Sequence, residues 1–338
     1  MTSPEPLRVA DLDESALLAR IFPLLPAGAS TLLGPGDDAA VVAAPDGRFV
    51  VSTDVLVEDR HFRRRWSTGY DVGARAAAQN LADVAAMGAR PTALVVSLAV
   101  PADLEVAWVE GLARGLAEAC APAGAAVVGG DLSGAEAVVV AVTVHGDLAG
   151  AAPVRRSGAR PGDVVAHAGV RGRSAAGLAL LDAGVAAPRD GAPGADGPLA
   201  AFVAGYLRPR PPLAAGPAAA AGGATAMLDV SDGLLRDAGR VAAASGVAVD
   251  LDAAALAPYA ADLAPAAAAL GAGEEVARGW VLGGGEDHGL LATFPPGAGL
   301  PDGFRVLGRV LPADDGRPRV TVDGAPPQAA PGWDHFGA

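Results

Sequence analysis

The aspartates of this 338-residue chain sit at positions that a merely solvated surface does not explain. Asp37 and Asp38 follow a Gly34-Pro35-Gly36 turn, and Asp54 ends an apolar run beside the hydroxyls of Ser52 and Thr53. Asp83 falls inside an alanine-rich segment of helical type, Asp131 follows Gly129-Gly130, and Asp229 and Asp232 bracket Ser231. A carboxylate inside an apolar helix is costly unless it is partnered. Hard oxygen donors of this kind suit Mg²⁺, which takes one or two carboxylates per ion and completes its shell with water and phosphate. Scattered carboxylates therefore imply several ions sharing a phosphate-rich ligand rather than one protein cage. Capping and turn chemistry is the competing reading for each aspartate taken singly. Gly129-Gly130-Asp131 and Gly283-Gly284-Gly285-Glu286-Asp287 set bare backbone beside carboxylates, either to let a phosphate approach N–H groups or to make a tight turn.

The elements that must carry these residues follow from pattern. A helix opens near Asp13-Glu14-Ser15 and runs through Leu17, Leu18 and Ile21. The turn Pro45-Asp46-Gly47 between 39–44 and 49–53 reads as a hairpin. A helix over 72–87 stops at Gly88, followed by a strand at 93–100, a helix over 105–120, and strands at 125–128 and 138–144. Residues 149–162 read as a junction, so the expected domains are 1–150 and 151–338. In the second, strand 163–167 and a helix over 174–181 precede a loop at 184–198. Strand 225–230 meets a helix that starts at Ser231-Asp232-Gly233 and carries Leu234, Leu235, Ala238 and Val241. Further strands are expected at 247–251, 288–294, 304–310 and 319–322. The fold class is α/β with mixed sheets, of the α+β kind.

Composition removes whole classes of function. The hydrophobic fraction is 51% and the charged fraction 19%, which excludes a disordered chain. A net charge of −13 disfavours nucleic acid and anionic membrane. Every basic side chain apart from histidine is arginine, so neither a Walker-type lysine nor a Schiff base is available. Cys120 is the only cysteine, which excludes a disulfide framework and suits core packing. The uncharged stretch 211–228 is rich in alanine, proline and glycine, a poor membrane span. The first residues lack a signal-peptide pattern, and the expected compartment is the cytoplasm.

Ordered blocks along the chain resemble the thiamine-monophosphate kinase family. They are Gly36-Asp37-Asp38-Ala39-Ala40, Thr53-Asp54-Val55-Leu56-Val57-Glu58 with His61-Phe62, and Asn80-Leu81-Ala82-Asp83-Val84-Ala85-Ala86-Met87-Gly88. Gly129-Gly130-Asp131, Asp229-Val230-Ser231-Asp232-Gly233-Leu234, Gly284-Gly285-Glu286-Asp287 and Gly332-Trp333-Asp334-His335-Phe336 complete the series. The resemblance implies the two-domain fold shared with aminoimidazole-ribonucleotide synthetase, selenophosphate synthetase and the hydrogenase maturation protein HypE. It also implies a Mg²⁺-dependent homodimer that moves the γ-phosphoryl of ATP onto thiamine monophosphate. On the matching motifs, Asp38, Ser52, Thr53, Asp54, Asp83, Asp131, Asp229 and Asp232 would serve several metal ions. Asp54, Asp131 and Asp232 would be the catalytic carboxylates. Gly130, Asp131, Arg156 and Ser231 would contact ATP, and His61, Glu286 and Trp333 would line the thiamine-phosphate site.

Each of the last group has a plainer role open to it. His61 either meets the ligand or makes a structural hydrogen bond, Trp333 either stacks on the ligand ring or plugs the C-terminus, and Arg156 either holds phosphate or decorates the junction. Departures from the family pattern are His288 where tyrosine is usual, Ala113 where an aromatic packs on adenine, and Pro212 where an arginine is usual. Selenophosphate synthetases would show a reactive cysteine and a lysine near the N-terminus, which this chain lacks. A silent nucleotide binder from the same fold is the rival outside the enzyme class.

Overall fold

The computed structural model describes residues 6–35, 39–186, 197–314 and 319–333. The chain divides into two compact units at residue 150, with residues 85–89 grouped with the second.

In the first unit, α1 (Glu14–Ile21) is capped by Asp13, whose carboxylate accepts the Ala16 N–H at 2.7 Å. β1 (Thr31–Leu33) and β2 (Val41–Val42) form a short antiparallel ribbon. They are followed by β3 (Val50–Val57), α2 (Gly69–Ala86), β4 (Arg90–Val100), α3 (Val106–Cys120), β5 (Ala126–Gly134) and β6 (Val139–Asp147). The four-stranded sheet runs β3-β6-β4-β5, with β4 and β5 parallel and the other pairs antiparallel. Strand alternation separates its faces. Leu56, Leu94, Val96, Leu98, Val140, Val142 and Val144 are buried on one, whereas Val51, Val55 and Val95 are exposed on the other. α2 and α3 approach through Gly69, Gly73 and Gly115, where a Cβ would strike the backbone of the opposite helix.

Two expectations fail here. The Pro45-Asp46-Gly47 turn forms, with Gly47 at φ +71° and its N–H donating to Ala44 O, but it does not close a hairpin. β2 pairs with β1, and β3 pairs with β6 in unbroken register from Val50↔Gly146 to Val57↔Val139. An eight-residue ladder that buries Leu56 outweighs anything a two-residue strand offers. Gly129-Gly130-Asp131 is likewise neither a turn nor a phosphate nest. It lies inside edge strand β5, where Gly130 faces the Val96 carbonyl too closely for any side chain.

The second unit comprises β7 (Val164–Ala168), α4 (Arg173–Asp182), α5 (Ala200–Leu207), α6 (Ala215–Ala221), β8 (Ala226–Val230) and α7 (Leu234–Ser245). β9 (Val247–Leu251), α8 (Ala253–Ala269), α9 (Glu274–Gly283), β10 (Gly289–Phe294), β11 (Phe304–Pro312) and β12 (Val320–Val322) complete it. Its six-stranded sheet runs β12-β9-β11-β7-β10-β8, antiparallel except for β12 with β9. β8 and β10 are buried at every residue, as a strand covered on both faces must be. α5, α6, α8 and α9 carry no assignment from sequence. Most of the expected 184–198 loop, residues 187–196, lies outside the described residues. Among the described residues no helix is long and apolar enough to cross a membrane.

Candidate active site

In the first unit, β3 and α2 bring two of the expected donors together. Ser52 Oγ donates to Asp83 Oδ2 at 2.6 Å, so the hydroxyl and the half-buried carboxylate form one oxygen cluster. Asp54 lies two residues along β3 and therefore shares the face of Ser52. Thr53 points the other way, where its hydroxyl donates to Val142 O at 3.0 Å and meets Thr143 Oγ1 at 3.2 Å. Its side chain does not join Ser52 and Asp83. Asp131 stands on β5, at the opposite edge of the sheet and on the Thr53 face, through the row Val55–Ala141–Ser97–Asp131. Three strand spacings separate it from β3 by about 14 Å. Asp38 lies outside the described residues.

His61 resolves toward a structural bond with a functional consequence. Its Nδ1 accepts the Val57 N–H at 3.0 Å, which places the ring proton on Nε2. The ring is thereby held as a donor at the end of β3.

A cavity of about 960 Å³ opens in this unit, lined by Gly130 and Asp131 of β5, by Leu112 and Ala113 of α3, and by Phe22. Glu14, Asp131 and Asp147 line it against Arg48, so its charged lining is predominantly acidic. Ala113 contributes only a methyl group to this wall.

The second unit gathers its residues around one corner. β8 ends at Val230, and the chain turns through Ser231 and Asp232 into α7. Gly233 makes the turn possible at φ +127°. Glu286 N donates to Ser231 O at 2.7 Å and Trp333 N donates to Asp232 O at 2.8 Å, so both expected substrate residues are tied to this corner by main-chain bonds. Glu286 and His288 adopt φ +68° and +53°, left-handed conformations that a non-glycine residue holds only against strain. Trp333 is 60% exposed and so is no hydrophobic plug. Asp229 is buried, with its Oδ2 at 3.2 Å from His288 Nδ1, so His288 turns its ring to this carboxylate.

Arg156 is not brought to the corner. Its carbonyl accepts Ser245 Oγ at 3.1 Å, beside the far end of α7, about 18 Å from Asp232 along twelve residues of helix. Its side chain is exposed. Among the described residues no group of three or more His, Cys, Asp or Glu forms an all-protein metal cage.

Sequence reading missed the residues that hold this corner. Asp237 is fully buried, and its Oδ2 accepts the N–H groups of Asp232 (3.0 Å) and Gly233 (3.1 Å). Arg240 bridges Asp232 Oδ2 and Asp237 Oδ1, each at 2.6 Å. Burial pushes the Asp237 carboxyl up to about 6 against the pull of Arg240, with the nearby Asp229 adding to the rise. Its signal was present: an aspartate within the Leu234, Leu235, Ala238, Val241 stripe must face the core. Asp287, also fully enclosed, accepts the N–H groups of Gly172 (2.5 Å) and Ser174 (2.9 Å) and so caps α4. Burial raises its pKa, opposed by Arg171. Cys120 is buried on α3 and its thiol is pushed up to about 12, as core packing requires.

With this geometry in place, comparison with known proteins is direct. Residues 36–148 match the family described as AIR synthase related protein, N-terminal domain. The thiamine-monophosphate kinase of Mycobacterium tuberculosis is 49% identical over 326 residues, covering 96% of this chain and 92% of that protein. The crystal structure of thiamine monophosphate kinase from Aquifex aeolicus is 32% identical, with a TM-score of 0.71, covering 83% of this chain and 90% of that one. A structure of AaThiL complexed with AMPPCP and TMP shows the same identity and TM-score over 89% of this chain and 91% of that one. The mixed α/β architecture is thus the AIR-synthase-like fold, and the chain belongs to the thiamine-monophosphate kinase family, phosphotransferases with a phosphate group as acceptor.

Proposed function

We propose that this chain transfers the γ-phosphoryl group of ATP directly to thiamine monophosphate, giving thiamine diphosphate and ADP, with Mg²⁺ required. The observation that carries this reading is the Ser231–Asp232 corner, to which Glu286 and Trp333 are both tied through main-chain hydrogen bonds. The AaThiL complex with AMPPCP and TMP supports the choice of both substrates.

The donor chemistry fits Mg²⁺. Ser52, Asp54 and Asp83 in the first unit and Asp229 and Asp232 in the second are hard oxygen donors, without the thiolates that a softer metal would favour. These residues, with Asp131 at the nucleotide cavity and Asp38, would hold the metal, and Thr53 would contribute only through its backbone. When bound, Mg²⁺ would neutralise the charge that separates two phosphate groups in an acidic site. The acidic cavity itself would repel a bare polyphosphate, which is the physical case for the requirement.

An oxygen of the acceptor phosphate forms the new bond to the γ-phosphorus, the bond from that phosphorus to the β–γ bridging oxygen breaks, and ADP leaves with the electron pair. The acceptor is largely ionised at pH 7, its second pKa being near ~6, so no general base is needed and no phospho-enzyme forms. His61 Nε2–H donates to the substrate, Glu286 and Trp333 position the thiamine rings, and Gly130 lets the nucleotide approach β5. Arg156, exposed near the start of the second unit, is assigned to the ATP phosphates by its motif alone.

The open apolar face of the first sheet, with Val51, Val55 and Val95 exposed, supports a homodimer in which a second copy covers it. The composition supports a cytoplasmic enzyme. Chromatography after incubation with ATP, Mg²⁺ and thiamine monophosphate tests the function. Thiamine diphosphate should appear, vanish with EDTA and never form from free thiamine. Mg-ATP binding without product would instead identify a silent binder.

A further inference from the structure

The second unit contains a cavity of about 520 Å³ formed by the loop after β7, the start of α4, the middle of α8 and the start of β11. None of Asp229, Ser231, Asp232, Glu286 or Trp333 lines it. Its charged walls are Arg171, Arg173 and Arg305 against the single carboxylate of Asp262. That carboxylate is already taken by Arg173 in a bidentate pair at 2.7 and 2.8 Å. The Arg305 guanidinium is exposed and makes no hydrogen bond or ion pair among the described residues.

Arg171 is the unusual member. It is 1% exposed, and one terminal nitrogen donates to Val281 O at 3.1 Å and Gly284 O at 2.6 Å. Its Nε and other terminal nitrogen have no protein acceptor among the described residues. The carboxylates that offset its charge are both committed elsewhere, Asp287 to the first turn of α4 and Asp237 to the Asp232 corner and Arg240. Buried guanidinium donors are almost always satisfied, so this wall favours an anionic guest. The remaining wall is apolar and aromatic. Tyr259 is fixed by its hydroxyl, 3.2 Å from the buried His167 Nδ1, and Pro258 precedes it on α8. The volume is that of a small-molecule site.

We propose that this cavity binds a small phosphorylated metabolite, its phosphate held by Arg173 and Arg305 within the field of Arg171 and its organic part set against Tyr259 and Pro258. The site is distinct from the catalytic corner yet coupled to it. Arg171 also grips the carbonyl of Gly284, which begins the loop carrying Glu286. An occupant that draws on Arg171 therefore acts on the loop that positions a substrate residue.

Calorimetric titration of the full chain in EDTA, without nucleotide, tests this independently of the kinase reaction. The probes are phenyl phosphate and inorganic phosphate, with chloride at matched ionic strength as control. The expected result is saturable binding, tighter for phenyl phosphate, weakened at least tenfold by Arg305→Glu and less by Arg305→Gln, and unchanged by Asp232→Asn. Arg305 is exposed, so both of its variants should keep the wild-type circular dichroism. Equal affinity in Arg305→Glu, loss only in Asp232→Asn, or no saturable binding to the wild type would each overturn the site. Equal affinity for the two probes would overturn the organic half of the assignment.

Discussion

The two units hold their candidate site carboxylates in different ways. In the first, Asp83 is bonded to the Ser52 hydroxyl at half burial, and exposed Asp131 is met by Ser133 Oγ at 3.3 Å. In the second, Asp229 is paired with His288, Asp232 and Asp237 share Arg240, and Asp287 is sealed near Arg171. Hydroxyl partners near water leave a carboxylate ready to take a cation, and its removal costs little structure. Arginine partners around enclosed carboxylates such as Asp237 and Asp287 make the same group part of the fold. Asp83 and Asp131 are therefore placed to receive charge, whereas Asp232, Asp237 and Asp287 hold charge already in place.

The largest effects should test that division on turnover. Asp54→Asn and Asp83→Asn should each lower kcat by about 10³-fold while leaving the melting temperature nearly unchanged, because the amide keeps the shape and hydrogen-bonding reach of the acid. Asp232→Asn should lower kcat comparably and also lower the melting temperature, since Arg240 loses part of its pairing. Steady-state kinetics beside thermal melts would show it. Normal turnover in Asp54→Asn would remove that residue from the metal set.

Next comes stability alone. Asp287→Ala in the second unit removes the cap of α4 and the carboxylate facing buried Arg171, and should cost about 3–5 kcal/mol in urea unfolding. Ser133→Ala, which takes the hydroxyl from Asp131 in the first unit, should cost less than about 1 kcal/mol. Equal losses would erase the contrast between the units.

A smaller effect separates the units by pH. His167 is buried, and desolvation, aided by Arg171, holds its pKa well below the usual imidazole value. The unfolded chain then takes up a proton that the folded chain refuses. The stability this gives is complete above about pH 6.5 and is lost as pH falls toward the folded value, by at most about 1.4 kcal/mol per pH unit. Urea midpoints of wild type and His167→Phe between pH 7.5 and 5 should converge as pH falls. A constant offset would mean that His167 does not titrate in this way.

What sequence could reveal follows the same physical divide. Asp83 within an alanine-rich helix, and Ser231-Asp232 between strand and amphipathic helix, are local patterns, and α2, β8 and α7 lie close to where those patterns place them. Sheet partnership is not local. The Pro45-Asp46-Gly47 turn was legible, whereas the choice of β6 as the partner of β3 depends on a strand about ninety residues away. The same limit hid the separation of Asp131 from Asp54 across the sheet. α8 escaped notice because Pro258 and Pro265 interrupt a segment that is mostly alanine, leaving no apolar stripe to read. Arg171 gave no signal because an arginine in the run Gly169-Val170-Arg171-Gly172-Arg173 says nothing of its burial.

The smallest predicted effect concerns the 960 Å³ cavity of the first unit. Ala113 lies on α3, 2% exposed, in the wall that also holds Leu112 and Phe22. Its methyl leaves that wall short of an aromatic face, and the cavity has room for one. Ala113→Phe should therefore lower the KM for ATP by roughly 3- to 10-fold, the equivalent of about 0.5–1.5 kcal/mol for an added ring contact, with kcat little changed. The change acts on binding alone because Ala113 lies among the apolar residues of the wall, not on the carboxylate-bearing strand. If the nucleotide bypasses this cavity, the substitution will alter the melting temperature and leave KM where it was. That result would detach Gly130 and Asp131 from ATP and move the nucleotide to another part of the chain.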